Sequence, residues 1–178
     1  GRSGVHIGGT DFDRRLSIHH VMPHLGYDAL IGPKKLPMPS HLYHDLATWH
    51  RIPTLYTPQN INYLRSILSQ LDRPDLVERL IKVFAERKGH RIAAEVEAAK
   101  IALSEQAEVV LHIPLDPAVE TVLHQGDLDH AVYDDAVRIV HAIDLCLGAA
   151  GVTRADIQSV FLTGGSTAVP EIRRQVLG

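Results

Sequence analysis

Apolar residues return every three or four positions over most of this chain, a spacing that predicts helices. Phe12, Leu16 and His20 form the first such stripe, with Thr10 as the expected cap and Asp11 and Asp13 in the first turn. Pro23 kinks or ends that helix, and Gly26 ends it. Residues 26–40 hold three prolines and two glycines, which reads as a loop or insertion. Ser40 starts a second helix, with Leu42, Leu46 and Trp49 at i, i+4 and i+7, and Ile52-Pro53 breaks it. Thr57-Pro58 supplies a cap and first-turn pair for a third helix carrying Ile61, Leu64 and Leu68. After Asp72-Arg73-Pro74, Leu76, Leu80 and Phe84 face inward. From His90 to Glu105, Ile92, Val96, Ala99 and Leu103 share one helical face.

The period then drops to two. Val109, Leu111 and Ile113 alternate with Val110 and His112, and Val119, Thr121 and Leu123 suggest a partner strand beyond the Asp116-Pro117 turn. Gly126-Asp127 is expected to cap a helix from Leu128 to about Ala149, with or without a break, and Gly151 ends it. Val160-Phe161-Leu162 reads as a short buried strand. Gly164-Gly165-Ser166-Thr167 follows, and Pro170 opens a last helix. No internal repeat or low-complexity tract interrupts this order.

Composition narrows the classes. The 178 residues carry 18 basic and 21 acidic side chains, a formal charge of −3, which argues against a nucleic-acid-binding face. One cysteine, Cys146, leaves no internal disulfide and fits a reducing, cytoplasmic setting. No apolar run approaches the roughly 20 residues of a membrane span, and no signal peptide opens the chain. The start at Gly1-Arg2-Ser3-Gly4 and the stop at Gly178 read as the ends of a fragment.

Four constellations could carry chemistry. The glycines of Gly164-Gly165-Ser166-Thr167 would let a ligand approach the backbone, and the following helix start favours phosphate. A tight strand-to-helix turn explains the same residues. Glu97, Lys100 and Ser104 lie at i, i+3 and i+7 on one helical face, where an ordinary solvated Glu–Lys pair is the plainer account. Gly8-Gly9-Thr10-Asp11-Phe12-Asp13 is either a helix start with a Phe12 anchor or a close approach to phosphate. The 12 histidines, among them His19, His20, His24, His41 and His44, show no metal-ligand spacing. No residue is assigned a catalytic or metal-binding role.

The order of three of these segments is informative. Gly8-Gly9-Thr10-Asp11-Phe12-Asp13, then Glu97-Ala98-Ala99-Lys100-Ile101-Ala102-Leu103-Ser104, then Phe161-Leu162-Thr163-Gly164-Gly165-Ser166-Thr167 resembles the second half of the ATPase domain of DnaK-type heat-shock chaperones. The wording Lys100-Ile101-Ala102-Leu103-Ser104 and the segment after Gly26 resemble the divergent YegD-like branch. The resemblance implies an α/β, actin-like fold, α+β in the isolated fragment. It divides the chain into an entry helix (1–26), an inserted helical lobe with a small antiparallel sheet (27–126) and a return to the larger subdomain (127–178).

The same resemblance implies ATP or ADP as ligand. Glu97 and Lys100 would contact the ribose, Ser104 the adenine, and Gly164, Gly165 and Ser166 would floor the site. Ile101 and Ala168 stand where main members of the family carry arginines that sandwich the adenine. Losing both stacked guanidiniums, each worth roughly 0.5–2 kcal/mol, would weaken binding by about one to two orders of magnitude. The family's phosphate loop, catalytic lysine and Gly-rich acidic loop, which hold phosphates and Mg²⁺, match no segment here, so no ATP hydrolysis by this chain alone is expected. Implied partners are the nucleotide and an exchange factor or co-chaperone on the helical lobe. The alternatives are a non-enzymatic interaction module with a degenerate nucleotide site, and another actin-like protein such as a sugar kinase or filament former.

Overall fold

A computed structural model describes residues 2–178. The first helix, α1 (Gly9–His20), begins earlier than its expected cap. Gly8 is the cap, and its N–H donates to the Asp11 carboxylate at 2.9 Å. An acid in the first turn therefore does what the Thr10 hydroxyl was expected to do. Phe12 and Leu16 are buried as predicted. A 3₁₀ turn over Met22–Leu25 follows, and Gly26 closes it at φ +86°, a conformation that glycine adopts without strain.

The Pro/Gly-rich stretch is more than a loop. Leu30–Ile31 (β1) and Leu36–Pro37 (β2) pair as a minimal antiparallel ribbon. Helix α2 (Ser40–Leu46) stops before Trp49, and a 3₁₀ segment over Trp49–Leu55 takes up the chain. Trp49 is 51 % exposed and not on a buried helical stripe, because the α-helical period has ended by then. Thr57 caps α3 (Pro58–Ile67) through its hydroxyl, which accepts the Asn60 N–H, as the Thr57-Pro58 pair predicts. Helices α4 (Pro74–Ala85) and α5 (Gly89–Leu103) carry the expected inward residues Leu80, Phe84, Ile92, Val96, Ala99 and Leu103. α5 starts at Gly89 because no larger residue fits. A Cβ there would meet Ile52 Cγ2 at 2.6 Å and the Tyr56 hydroxyl at 2.7 Å.

Glu108–Ile113 (β3) and Val119–His124 (β4) form an antiparallel hairpin. Its register puts Val109 opposite Leu123, Leu111 opposite Thr121 and Ile113 opposite Val119, so the alternation read from the sequence builds one inner face against α5. Helix α6 (Gln125–Ala150) runs without a break to Gly151, which adopts φ +70°. Its cap is His124 and not Gly126-Asp127: the His124 N–H donates to the Asp127 carboxylate at 2.7 Å. The last helix, α7 (Pro170–Leu177), packs on α6, and Arg174 pairs with Asp129 at 3.1 Å.

One expected element is absent. Val160-Phe161-Leu162 forms no strand, and Phe161 is 90 % exposed. A strand persists only where another edge completes its ladder, and none among the described residues lies beside it. Apart from this segment and the outer half of α6, one apolar core runs from Phe12 through the helices and hairpin to Ile172.

His20 and His24 sit at the end of α1 and in the turn after it, and burial lowers both from the ordinary histidine value of 6.5. Asp127, 3.8 Å from His20, opposes that shift, whereas His19 and His24 reinforce it; Arg79 reinforces it at His24. The folded chain therefore releases protons that the unfolded chain keeps. Stability should fall as pH drops through about 6.5 towards the lowered folded values. Urea midpoints at about pH 7.5 and pH 5 measure this. The fall should shrink in His20→Asn and His24→Asn, and a midpoint that rises on acidification would contradict the assignment.

Candidate functional site

Helix α5 presents Glu97, Lys100, Ile101 and Ser104 to one side because they lie three, one and three residues apart on a 3.6-residue period. Their face meets the start of α1 and the turn before α7. The three motifs separated in sequence by nearly 90 and by 60 residues converge on one cleft of about 540 Å³. Glu97, Lys100, Ile101 and Ser104 line it from α5. Gly165, Ser166 and Ala168 line it from the 3₁₀ turn over Gly165–Ala168, and Gly9, Thr10, Phe12 and Asp13 line it from α1. Gly164 precedes that turn at φ +94° and shapes it without lining the cleft.

The convergence is close. A Cβ added at Gly9 would sit 3.2 Å from Lys100 Nζ and 3.6 Å from Ser166 Oγ. The glycine thus lets one backbone point touch both other motifs. Lys100 Nζ donates to the Gly9 carbonyl at 3.3 Å and lies 2.8 Å from Asp13 Oδ1. Both charges of that pair are largely shielded, with side-chain exposures of 13 % and 18 %. The ordinary Glu97–Lys100 surface pair that the spacing allows does not form; Lys100 turns to Asp13 because the α1 carboxylate is nearer and less solvated.

Asp13 holds its proton more tightly than a free aspartate. Burial is the main cause, the Lys100 charge opposes it, and the Glu97 charge adds to it. Lys100 Nζ is the partner of Asp13 Oδ1, and its hydrogen bond as well as its charge loosens the carboxylate's hold on the proton. Ser104 donates its hydroxyl to the Lys100 carbonyl at 3.3 Å, which leaves its lone pairs to the cleft. Ile101 is 60 % exposed at the mouth. The sequence pattern marks Asp13 as a first-turn acid and a member of the Gly8–Asp13 motif, not as the partner of Lys100. Its spacing of four from Gly9 held the clue, since a cation reaching one of them reaches the other.

A model of the Hsp70 protein family matches residues 80–177, more than half of the chain, and takes in both the α5 motif and the Gly-Gly-Ser turn. The chain belongs to the Hsp70 family. It is 33 % identical over 114 residues to the chaperone protein DnaK of Thermus thermophilus, a match covering 57 % of this chain and 18 % of that protein. With the DnaK of Deinococcus proteolyticus it shares 32 % over 95 residues, and with that of Halobacterium salinarum 31 % over 93, each 48 % of this chain and 15 % of the relative. The chain therefore spans less than a fifth of the length of these curated relatives. No solved structure matches it. The helix-rich fold with two small antiparallel sheets is the α+β composition expected of part of an Hsp70 actin-like ATPase domain. The sugar-kinase and filament-former alternatives give way to this assignment. No helix among the described residues is long and apolar enough to cross a membrane.

Proposed function

We propose that this chain supplies the adenosine side of the ATP site in a DnaK-like chaperone. The observation that carries the reading is the convergence of Gly9, Lys100 and Ser166 on one cleft. Its volume of about 540 Å³ lies within the range of small-ligand sites. The donor set fits a nucleoside. Lys100 keeps a donor direction beyond those aimed at Asp13 and Gly9, and exposed Glu97 offers acceptors, so the two suit ribose hydroxyls. Ser104 suits an amino group on the base, and Gly165 allows close backbone approach. ATP would bring its own phosphates and Mg²⁺, whose usual holders in the family match nothing here; these residues bind and orient, and turnover by this chain alone is not part of the reading.

The division into entry helix, inserted lobe and return belongs to the same proposal, as do kinship with the YegD-like branch and a cytoplasmic setting. Exposed Ile157, Val160 and Phe161 fit a segment that becomes a strand against the remainder of an actin-like sheet. The helical lobe, with Trp49 and Tyr63 exposed, is the surface for an exchange factor or co-chaperone.

Calorimetric titration with ADP, joined to hydrogen exchange, tests the reading. Binding tighter than about 1 mM that protects 97–104 and 164–168 is the expected result. No binding, or protection elsewhere, defeats it. Ile101 and Ala168 specifically favour the second reading, a degenerate site on an interaction module. Ile101→Arg and Ala168→Arg separate the two: on the first reading each strengthens ADP binding by roughly 2- to 30-fold through stacking. On the second neither does.

A further inference from the structure

Helices α1, α2 and α6 enclose a second cavity, of about 410 Å³, that shares no residue with the Lys100 cleft. α1 lines it with Arg14, Arg15 and His19, α2 with His44, and α6 with His130 and Tyr133. Arg15 is built in. Its Nη1 lies 2.7 Å from Asp135 Oδ2 and donates to the Ala131 carbonyl at 2.8 Å, and Nη2 donates to Asp135 Oδ1 at 3.0 Å. Asp135 is 1 % exposed, so the guanidinium is held in place as part of the wall. Arg14, beside it in sequence, forms no ion pair among the described residues, and the rings of His19, His44 and His130 make no hydrogen bond there. Five nitrogen-bearing side chains and a phenol thus face one space, against a single lining acid, Asp134.

A cation would find no home in such a wall, and among the described residues no three His, Cys, Asp or Glu side chains converge closely enough to hold a metal. The chemistry suits an anion. A planar carboxylate is served by one guanidinium fork, whereas phosphate oxygens point in several directions and draw donors from several elements. We propose that this cavity binds a small phosphate-bearing anion, with Arg14 as its free cation, Arg15 as a fixed wall and His19, His44 and His130 as surrounding donors. The volume lies in the range of small-ligand sites.

The test is calorimetric titration of pyrophosphate into the chain. Saturable binding is expected. Arg14→Ala should weaken it at least about tenfold and His130→Gln several-fold. Both side chains lie outside the apolar core, so unchanged urea midpoints should accompany those losses. Citrate should bind at least about tenfold more weakly than pyrophosphate, and excess adenosine, which suits the other cleft, should leave pyrophosphate affinity unchanged. The proposal is overturned by absence of binding up to about 10 mM, by equal affinity in Arg14→Ala, or by citrate binding as tightly. Displacement of pyrophosphate by adenosine overturns it too, because the anion would then occupy the other cleft.

Discussion

Lys100→Met is expected to lower ADP affinity at least about tenfold and to cost the fold about 1–3 kcal/mol. The two effects have one cause. Lys100 Nζ is 2.8 Å from Asp13 Oδ1 and donates to the Gly9 carbonyl at 3.3 Å, so its removal strips a shielded carboxylate of its cation and a carbonyl of its donor. The nucleotide loses a charged donor at the same point. The double variant Lys100→Met/Asp13→Asn separates the roles. It should regain much of the stability, because no uncompensated charge is left, and none of the affinity. The pH dependence has a fixed sign. The folded chain already holds the Asp13 proton above the free value of 3.8, and without Lys100 it holds it more tightly still. Stability from such a group is present at acid pH and lost as pH rises. The deficit of Lys100→Met should therefore shrink on acidification, and Asp13→Asn should abolish that trend. Urea unfolding at several pH values measures the first effect and ADP titration the second. Affinity that returns in the double variant would mean that Lys100 only positions α1.

Most of this architecture could be read along the chain, and the exceptions share a cause. Helices α4 and α5 and the β3–β4 hairpin follow from spacing because their partners are local or adjacent: Leu80 and Phe84 one turn apart, Val109 opposite Leu123 across a short turn. The caps of α1 and α6 lie ahead of the residues that spacing predicts, for a subtler reason. Asp11 and Asp127 reach back to the N–H three residues earlier, so the helix begins before the residue whose side chain would otherwise mark its start. The strand expected at Val160 does not form, because three apolar residues in a row specify only that they favour burial, and not the neighbour that buries them. At the site, residue types were legible and pairings were not. Glu97 and Lys100 are close in sequence, yet Lys100 spends its charge on Asp13, 87 positions away. Helical spacing reports which side chains share a face; it cannot report what the next helix puts opposite them.

Phe12→Ala is expected to cost roughly 3–5 kcal/mol, the usual loss for emptying a phenylalanine site in a core. Against a typical domain stability of about 5–15 kcal/mol, that brings the chain to the edge of unfolding or past it. Phe12 is fully buried and also forms part of the cleft wall, on the same turn of α1 as Gly9 and Asp13. Its ring is what holds that turn down on the core, so core packing and cleft geometry depend on one side chain. Phe12→Leu keeps most of the apolar volume and should cost less than about 1.5 kcal/mol. If the ring acts only by anchoring α1, Phe12→Leu should keep ADP affinity within a few-fold of the parent. Urea unfolding at constant pH gives the stability change, and ADP titration of the leucine variant gives the geometry. A loss below about 1 kcal/mol in Phe12→Ala would show that the core collapses around the missing ring. A leucine variant that is stable yet blind to ADP would show that the aromatic face itself lines the binding surface. The motif Gly8-Gly9-Thr10-Asp11-Phe12-Asp13 would then serve the ligand at three of its six positions, through the Gly9 backbone and the Phe12 ring as well as the Asp13 carboxylate behind Lys100.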